Sequence, residues 1–229
     1  MLDFMKSGLA PLVLTFLTYQ IGMLLQKKCK NPICNPVVIS AVLVLVFLLV
    51  TGMRIADYQA GMDTVSWLLT PATVCLAIPM YEHLQTLKKD LGAILVGVGC
   101  GAVSSLILVL VICLIAGLNR TLTISLLPKS VTTAIGAPLS GLSGGASAIT
   151  TAMIILTGIV ASIFSGPLFR LFRIQEPVAK GVALGTAGHV IGTARANEIS
   201  PVVGAVSSLS LVTAGLLTAV IFPLFAGLI

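Results

Sequence analysis

The sequence predicts an all-α integral membrane protein, with about six full transmembrane helices plus two broken or re-entrant helical segments. Such a chain leaves room for an internal inverted repeat. Three observations lead there. Of the 229 residues, 57% are hydrophobic and only 9% charged, with a mean hydropathy of +1.13, whereas soluble domains carry about 25% charged residues. Apolar stretches of about 18 or more residues, the length that crosses a bilayer core, recur along the chain. The carboxylates Asp3, Asp57, Asp63, Glu82, Asp90, Glu176 and Glu198 all fall at or near the ends of those stretches.

The first stretch, residues 9–25, has only Lys6 ahead of it and Lys27-Lys28-Cys29-Lys30 behind it. That order is reversed for a cleaved signal peptide, so it reads as a retained helix. The second, residues 36–53, opens with Asn35 as an N-cap and Pro36 at the first helical position. Residues 65–81 are apolar but interrupted by Pro71 and Pro79, which predicts a kinked or broken span. After a polar turn the run 91–118 carries Gly97 and Gly101 at the spacing that lets helices pack closely. The glycines at 97, 99 and 101 follow no predicted strand and precede no basic residue, so they do not form a nucleotide loop. Full spans are expected again at 148–169 and 201–229. No polar or Pro/Ser-rich linker divides the chain, so residues 1–229 read as a single polytopic membrane domain.

Two stretches between these spans mix polar and apolar character. In Leu127-Pro128-Lys129-Ser130-Val131-Thr132-Thr133-Ala134-Ile135-Gly136-Ala137-Pro138, Lys129 is the only Asp, Glu, Lys, Arg or His between Arg120 and Arg170. An ammonium at membrane depth costs at least about 2.5 kcal/mol, so it faces protein, water or an anion rather than lipid. Pro128 predicts a break beside it, with Ser130 capping a new helix from Val131. Freed amides, the cation and the Ser130, Thr132 and Thr133 hydroxyls then suit a small anion. The alternative is a lysine snorkelling from a helix end.

The second stretch, residues 181–198, has Gly181, Gly185, Gly188 and Gly192 for close backbone approach, with Thr186, His189, Thr193 and Arg195 as donors. Arg195 suits a bidentate grip on a carboxylate, or else pairs with Glu198 three residues on. His189 reads either as a ligand or proton carrier or as a satisfied buried imidazole. The hinge candidates are Pro71, Pro79, Pro128, Gly136, Pro138, Gly185 and Gly188. The absence of acids at depth argues for an anion as cargo.

If Lys27, Lys28 and Lys30 are cytoplasmic, alternating crossings bring Lys88 and Lys89 to the same side and leave the N-terminus outside. A re-entrant hairpin over 121–145 then places Arg170, Arg173 and Lys180 inside as well, and broken crossing helices would place them outside. The net charge of +6 follows this clustering beside spans and does not point to nucleic acid. The five cysteines are scattered without zinc or redox spacing, so neither a metal, another cofactor nor a disulfide framework is expected. His189 has no nucleophile and acid arranged about it, so enzymatic activity is not expected.

Leu127-Pro128-Lys129-Ser130-Val131-Thr132-Thr133 and the stretch from Gly185 to Ala196 resemble the two signature stretches of the LrgB/CidB family. Asn35-Pro36, Thr51-Gly52, Pro71-Ala72-Thr73 and Ala77-Ile78-Pro79-Met80-Tyr81 match in order. Family members often have proline after the paired threonines and a polar residue before the histidine, where this chain has Ala134 and Gly188. The resemblance implies a bacterial, multi-pass cell-membrane protein and two kinds of function. One is a carrier for small monocarboxylates of the pyruvate, lactate, glycolate or glycerate class, with Lys129, Ser130, Thr132, Thr133, Thr186, His189, Gly192, Thr193 and Arg195 at a cationic site near the midplane. The other is an antiholin-like regulator of murein hydrolase export and autolysis, acting with a small LrgA/CidA-type membrane partner. A homodimer is the expected assembly. The residues by themselves favour the carrier, because pore opening has no evident need for paired cationic breaks.

Overall fold

The computed structural model describes residues 9–29, 36–75 and 77–229. Asp3, Lys6, Lys30, Cys34 and the expected cap Asn35 lie outside the described residues. The described backbone is helical and contains no strand. Four helices are long and apolar enough to cross a membrane: Leu9–Lys28, Leu91–Ile115, Ser147–Leu171 and Pro201–Ala226, with Pro36–Thr51 a shorter apolar helix. The chain forms two compact units, residues 1–75 and 76–229.

In the first unit, α1 (Leu9–Cys29) packs along α2 (Pro36–Thr51), and α3 (Ile55–Gly61) returns against α1 before α4 (Asp63–Cys75). Small and hydroxyl residues set the α1/α2 spacing. A Cβ on Gly22 would stand 2.7 Å from the Pro36 carbonyl oxygen, and the buried Thr18 and Ser40 hydroxyls bond at 3.0 Å. Thr15 bonds the Tyr58 hydroxyl at 2.6 Å, which ties α3 to α1. Pro71 lies inside α4, which continues through it.

The second unit holds α5 (Ala77–Glu82, containing Pro79), α6 (Leu84–Lys89), α7 (Leu91–Ile115), α8 (Arg120–Leu126), α9 (Thr133–Leu142), α10 (Ser147–Leu171), α11 (Pro177–Ile199) and α12 (Pro201–Ala226). The kinked or broken span expected over 65–81 falls on α4 and α5, which flank residue 76, itself outside the described residues. The α11/α12 pair makes the most extensive packing, flanked by α7 and α10. One face of α7 is buried through Ile94, Val98, Ala102, Leu106, Val109 and Cys113, a spacing of three or four residues. Its opposite face exposes Leu95, Val96, Ile107, Leu108, Val111 and Ile112. An apolar surface of that extent suits lipid rather than water. Gly97 and Gly101 meet Val182 and Thr186 of α11, as their spacing predicts.

Both odd stretches turn back on themselves. Asn119 caps α8, its side chain accepting from the Leu122 N–H at 2.9 Å, and α8 descends α7 so that Ile124 and Leu127 join Leu106, Val109 and Cys113 in one core cluster. The chain turns at residues 127–132 and α9 climbs back. Ser125 accepts from the Ala146 N–H at 2.7 Å, so the entrance and exit of the excursion are adjacent. The new helix starts at Thr133 with Thr132 as N-cap, not at Val131 after Ser130. Ser130 is occupied elsewhere, by Ser105 and Lys129. Gly136 and Pro138 are therefore interior to α9 and not at the break. Gly136 gives Ile154 of α10 room to approach.

In α11 the break is at His189, with φ 41 and ψ −133, rather than at Gly185 or Gly188. Leu184 and Ala196 share a core cluster with Val203. In a straight helix those two residues would be about 18 Å apart. A Cβ on Gly192 would fall on the Leu184 carbonyl oxygen, so the arms before and after His189 are folded against each other. Gly185 packs on the Ser207 carbonyl and Gly181 on Val206 of α12, which explains why these positions lack side chains although the helix runs unbroken through them.

Candidate functional site

The two turns meet halfway along α7. Ser130, in the first turn, bonds Ser105 at 3.0 Å. Thr186, on the first arm of α11, touches Gly101 one helical turn away. A closed cavity between them is lined by Ala102, Ser105, Pro128, Ser130, Thr186 and Thr218, among others. About 10 Å³ of it admits the centre of a water molecule, which is room for one water.

Lys129 lies beside this cavity, half-buried, and donates to Ser130 Oγ at 3.2 Å. Among the described residues no carboxylate is in ion-pair range of it. Among the described residues the buried Thr186 hydroxyl has no hydrogen-bond partner. A buried hydroxyl left unpaired costs about 1–3 kcal/mol, so a polar group that fills the cavity would gain the Thr186 hydroxyl as a partner, with the Lys129 ammonium next to it through Ser130. The cavity as it stands has the dimensions of a water. Thr186→Val removes the unpaired oxygen at nearly constant shape and is expected to raise the melting temperature of the purified protein. An unchanged or lower melting temperature would mean that the hydroxyl is satisfied in solution.

The remaining expected ligands are placed differently. His189 Nε2 donates to the Ile154 carbonyl of α10 at 2.8 Å, and the ring lies against Gly158. That contact holds a non-glycine residue in a backbone region costing about 1–3 kcal/mol. The imidazole is thus the clamp of the α11 turn. Thr193 is buried and bonds Ser207 of α12 at 2.8 Å, Gly192 is the contact between the arms, and Thr132 and Thr133 begin α9. Arg195 pairs with Glu198, the alternative its spacing left open. It lines a separate cavity with Arg170, Arg173 and Lys180. Sequence reasoning missed Ser105 and Thr218, whose only signal is a hydroxyl within an apolar span.

The end of α10 carries a second unusual residue. Ile174 N–H bonds the Phe169 carbonyl at 2.8 Å and Arg173 N–H the Arg170 carbonyl at 3.2 Å, the paired bonds of a Schellman cap. The left-handed position of that cap, where glycine is usual, is Arg173 at φ 53. A side chain there costs roughly 1–2 kcal/mol.

The family model for the LrgB-like family matches residues 15–228, which is nearly the whole chain. This chain belongs to the LrgB-like family. The antiholin-like protein LrgB of Bacillus cereus (strain B4264) is 35% identical over 225 residues, covering 96% of this chain and 98% of that protein. No solved structure matches the chain. Membership and the apolar helices together make this LrgB-like chain a multi-pass membrane protein.

Proposed function

We propose that this protein is an antiholin-like membrane protein that regulates murein hydrolase export and autolysis with a small LrgA/CidA-type membrane partner. The similarity to the Bacillus cereus protein over nearly the whole length of both chains carries the reading. Removal of the gene from its host should change extracellular murein hydrolase activity and the rate of detergent-induced lysis several-fold, with return to normal on re-expression. Unaltered lysis and hydrolase profiles in both strains would defeat this reading.

The cavity shared by Ser130 and Thr186, with Lys129 bonded to Ser130, favours a second reading, in which regulation follows from the movement of a small monocarboxylate such as pyruvate, lactate, glycolate or glycerate. Both turns end about halfway along α7, and half-helices that end at such a depth can offer donors to one anion. Because the cavity holds only a water, cargo enters when the two hairpins part, and alternation between two such openings would carry it across. Six spans in a bacterial cell membrane, two re-entrant hairpins related by an inverted repeat and a homodimer complete this reading. Purified protein in liposomes should then show saturable uptake of labelled carboxylates and retain large dyes. Dye release without saturation would favour pore regulation instead.

A further inference from the structure

We propose that the junction between α10 and α11 is a binding site for a phosphate-bearing anion, the group presented by an acidic phospholipid or by free phosphate. A cavity of about 460 Å³ there is lined by Arg170, Arg173, Lys180 and Arg195, with Gln175 as a further donor, Phe169 in its apolar wall and no carboxylate among its lining residues. Among the described residues only Arg195 of the four cations has an ion-pair partner, Glu198.

Four like charges about one hollow repel one another unless an anion lies between them. The dipole of α10 accounts for part of the cluster, because Arg170 and Arg173 stand at its C-terminal end. It does not account for the rest. Lys180 sits near the N-terminus of α11, where a cation opposes the helix dipole, and Arg195 arrives from the far arm of the same helix. Arg173 adds a second, independent sign. The chain places arginine at the left-handed cap position that glycine occupies without strain, so the guanidinium is retained at the expense of backbone comfort. Guanidinium forks match phosphate oxygens bidentately, and lysine supplies a further point charge. The apolar wall beside Phe169 has room for the glycerol end of a lipid. This site is separate from the mid-depth cavity and independent of the function proposed above.

Full-length protein in neutral detergent is titrated with short-chain phosphatidylglycerol, phosphatidylcholine of equal chain length, and sodium phosphate. Binding that weakens with salt and favours phosphatidylglycerol over phosphatidylcholine is expected. Arg173→Gly should reduce affinity about 5-fold, and Arg173→Gly with Lys180→Gln about 25-fold, from a contribution of about one such factor per cation. Without ligand, Arg173→Gly should melt at or above the wild-type temperature, which separates lost binding from lost folding. Lys180→Gln alone carries the test if that variant does not fold. Binding of phosphatidylglycerol without phosphate identifies a lipid site, and equal binding of both identifies the phosphate as the recognised group. Wild-type affinity in the double variant, or equal affinity for the two lipids, overturns the proposal.

Discussion

Replacing Gly192 with alanine is expected to prevent the second unit from reaching its folded form. The added Cβ would land on the Leu184 carbonyl oxygen, and that oxygen belongs to the backbone of the opposing arm and cannot rotate away. Overpacking a core costs typically about 1–3 kcal/mol where side chains can adjust, and more where they cannot. Gly185→Ala should act similarly, because its Cβ would strike the Ser207 carbonyl and separate α11 from α12, the most extensive contact in the unit. The control is Gly99→Ala on α7, where nothing lies within 4 Å of the new Cβ. That change should be neutral, or stabilising by about 0.5–1 kcal/mol. Yield of monodisperse protein and thermal melting in detergent measure all three. Wild-type melting of Gly192→Ala would mean that the arms of α11 are not folded together, and the mid-depth cavity would lose its second wall.

On the carrier reading, Lys129→Met is expected to leave folding nearly intact while abolishing anion binding. The ammonium is half-buried, has only the Ser130 hydroxyl as a described partner and pairs with no described carboxylate. An apolar side chain of similar length removes the cost of holding a charge there. Loss of a charge-assisted contact in a dry site removes about 2–5 kcal/mol, which is roughly 30-fold to several thousand-fold in affinity. Equilibrium binding of pyruvate or glycolate to purified protein reads the effect. A Lys129→Met protein that binds and moves carboxylates like the wild type would show that the lysine only reaches for the membrane surface. The carrier reading would then fail, and the antiholin-like reading would stand alone. Arg195→Lys should have little effect at the mid-depth cavity, because Arg195 is engaged with Glu198 and lines the other hollow.

Local chemistry explains which features were legible from the chain. The long apolar runs became α1, α7, α10 and α12 because a bilayer-length helix satisfies every backbone group within itself. Pro128 marked a break because it lacks an N–H and restricts its predecessor, and Gly97 and Gly101 marked a close approach because they lie four residues apart on one face. The two odd stretches stood out as charge and small residues within apolar sequence. Their convergence was expected on the ground that two half-helices can serve one anion, and Pro128 and Thr186 do line a common cavity.

What remained hidden depends on partners distant in sequence. Nothing in the order Gly188-His189-Val190 says that the turn falls on the histidine. It falls there because the Ile154 carbonyl and the open face of Gly158, more than thirty residues earlier, hold the imidazole. Gly185 reads as a hinge and Gly192 as a site residue from sequence alone, since glycine permits hinges, ligand approach and contacts alike. Their role as contacts is decided by Ser207 and Leu184. The hydroxyls of Ser105 and Thr218 carried no local signal, and they reach the cavity only through the packing of α7 and α12 around the turns. The sequence by itself determined a helical membrane protein with two polar interruptions and basic clusters at its span ends. Tertiary structure alone decided that Ser130 and Thr186 line one cavity and Arg195 another, because that division depends on how far each arm runs before it turns.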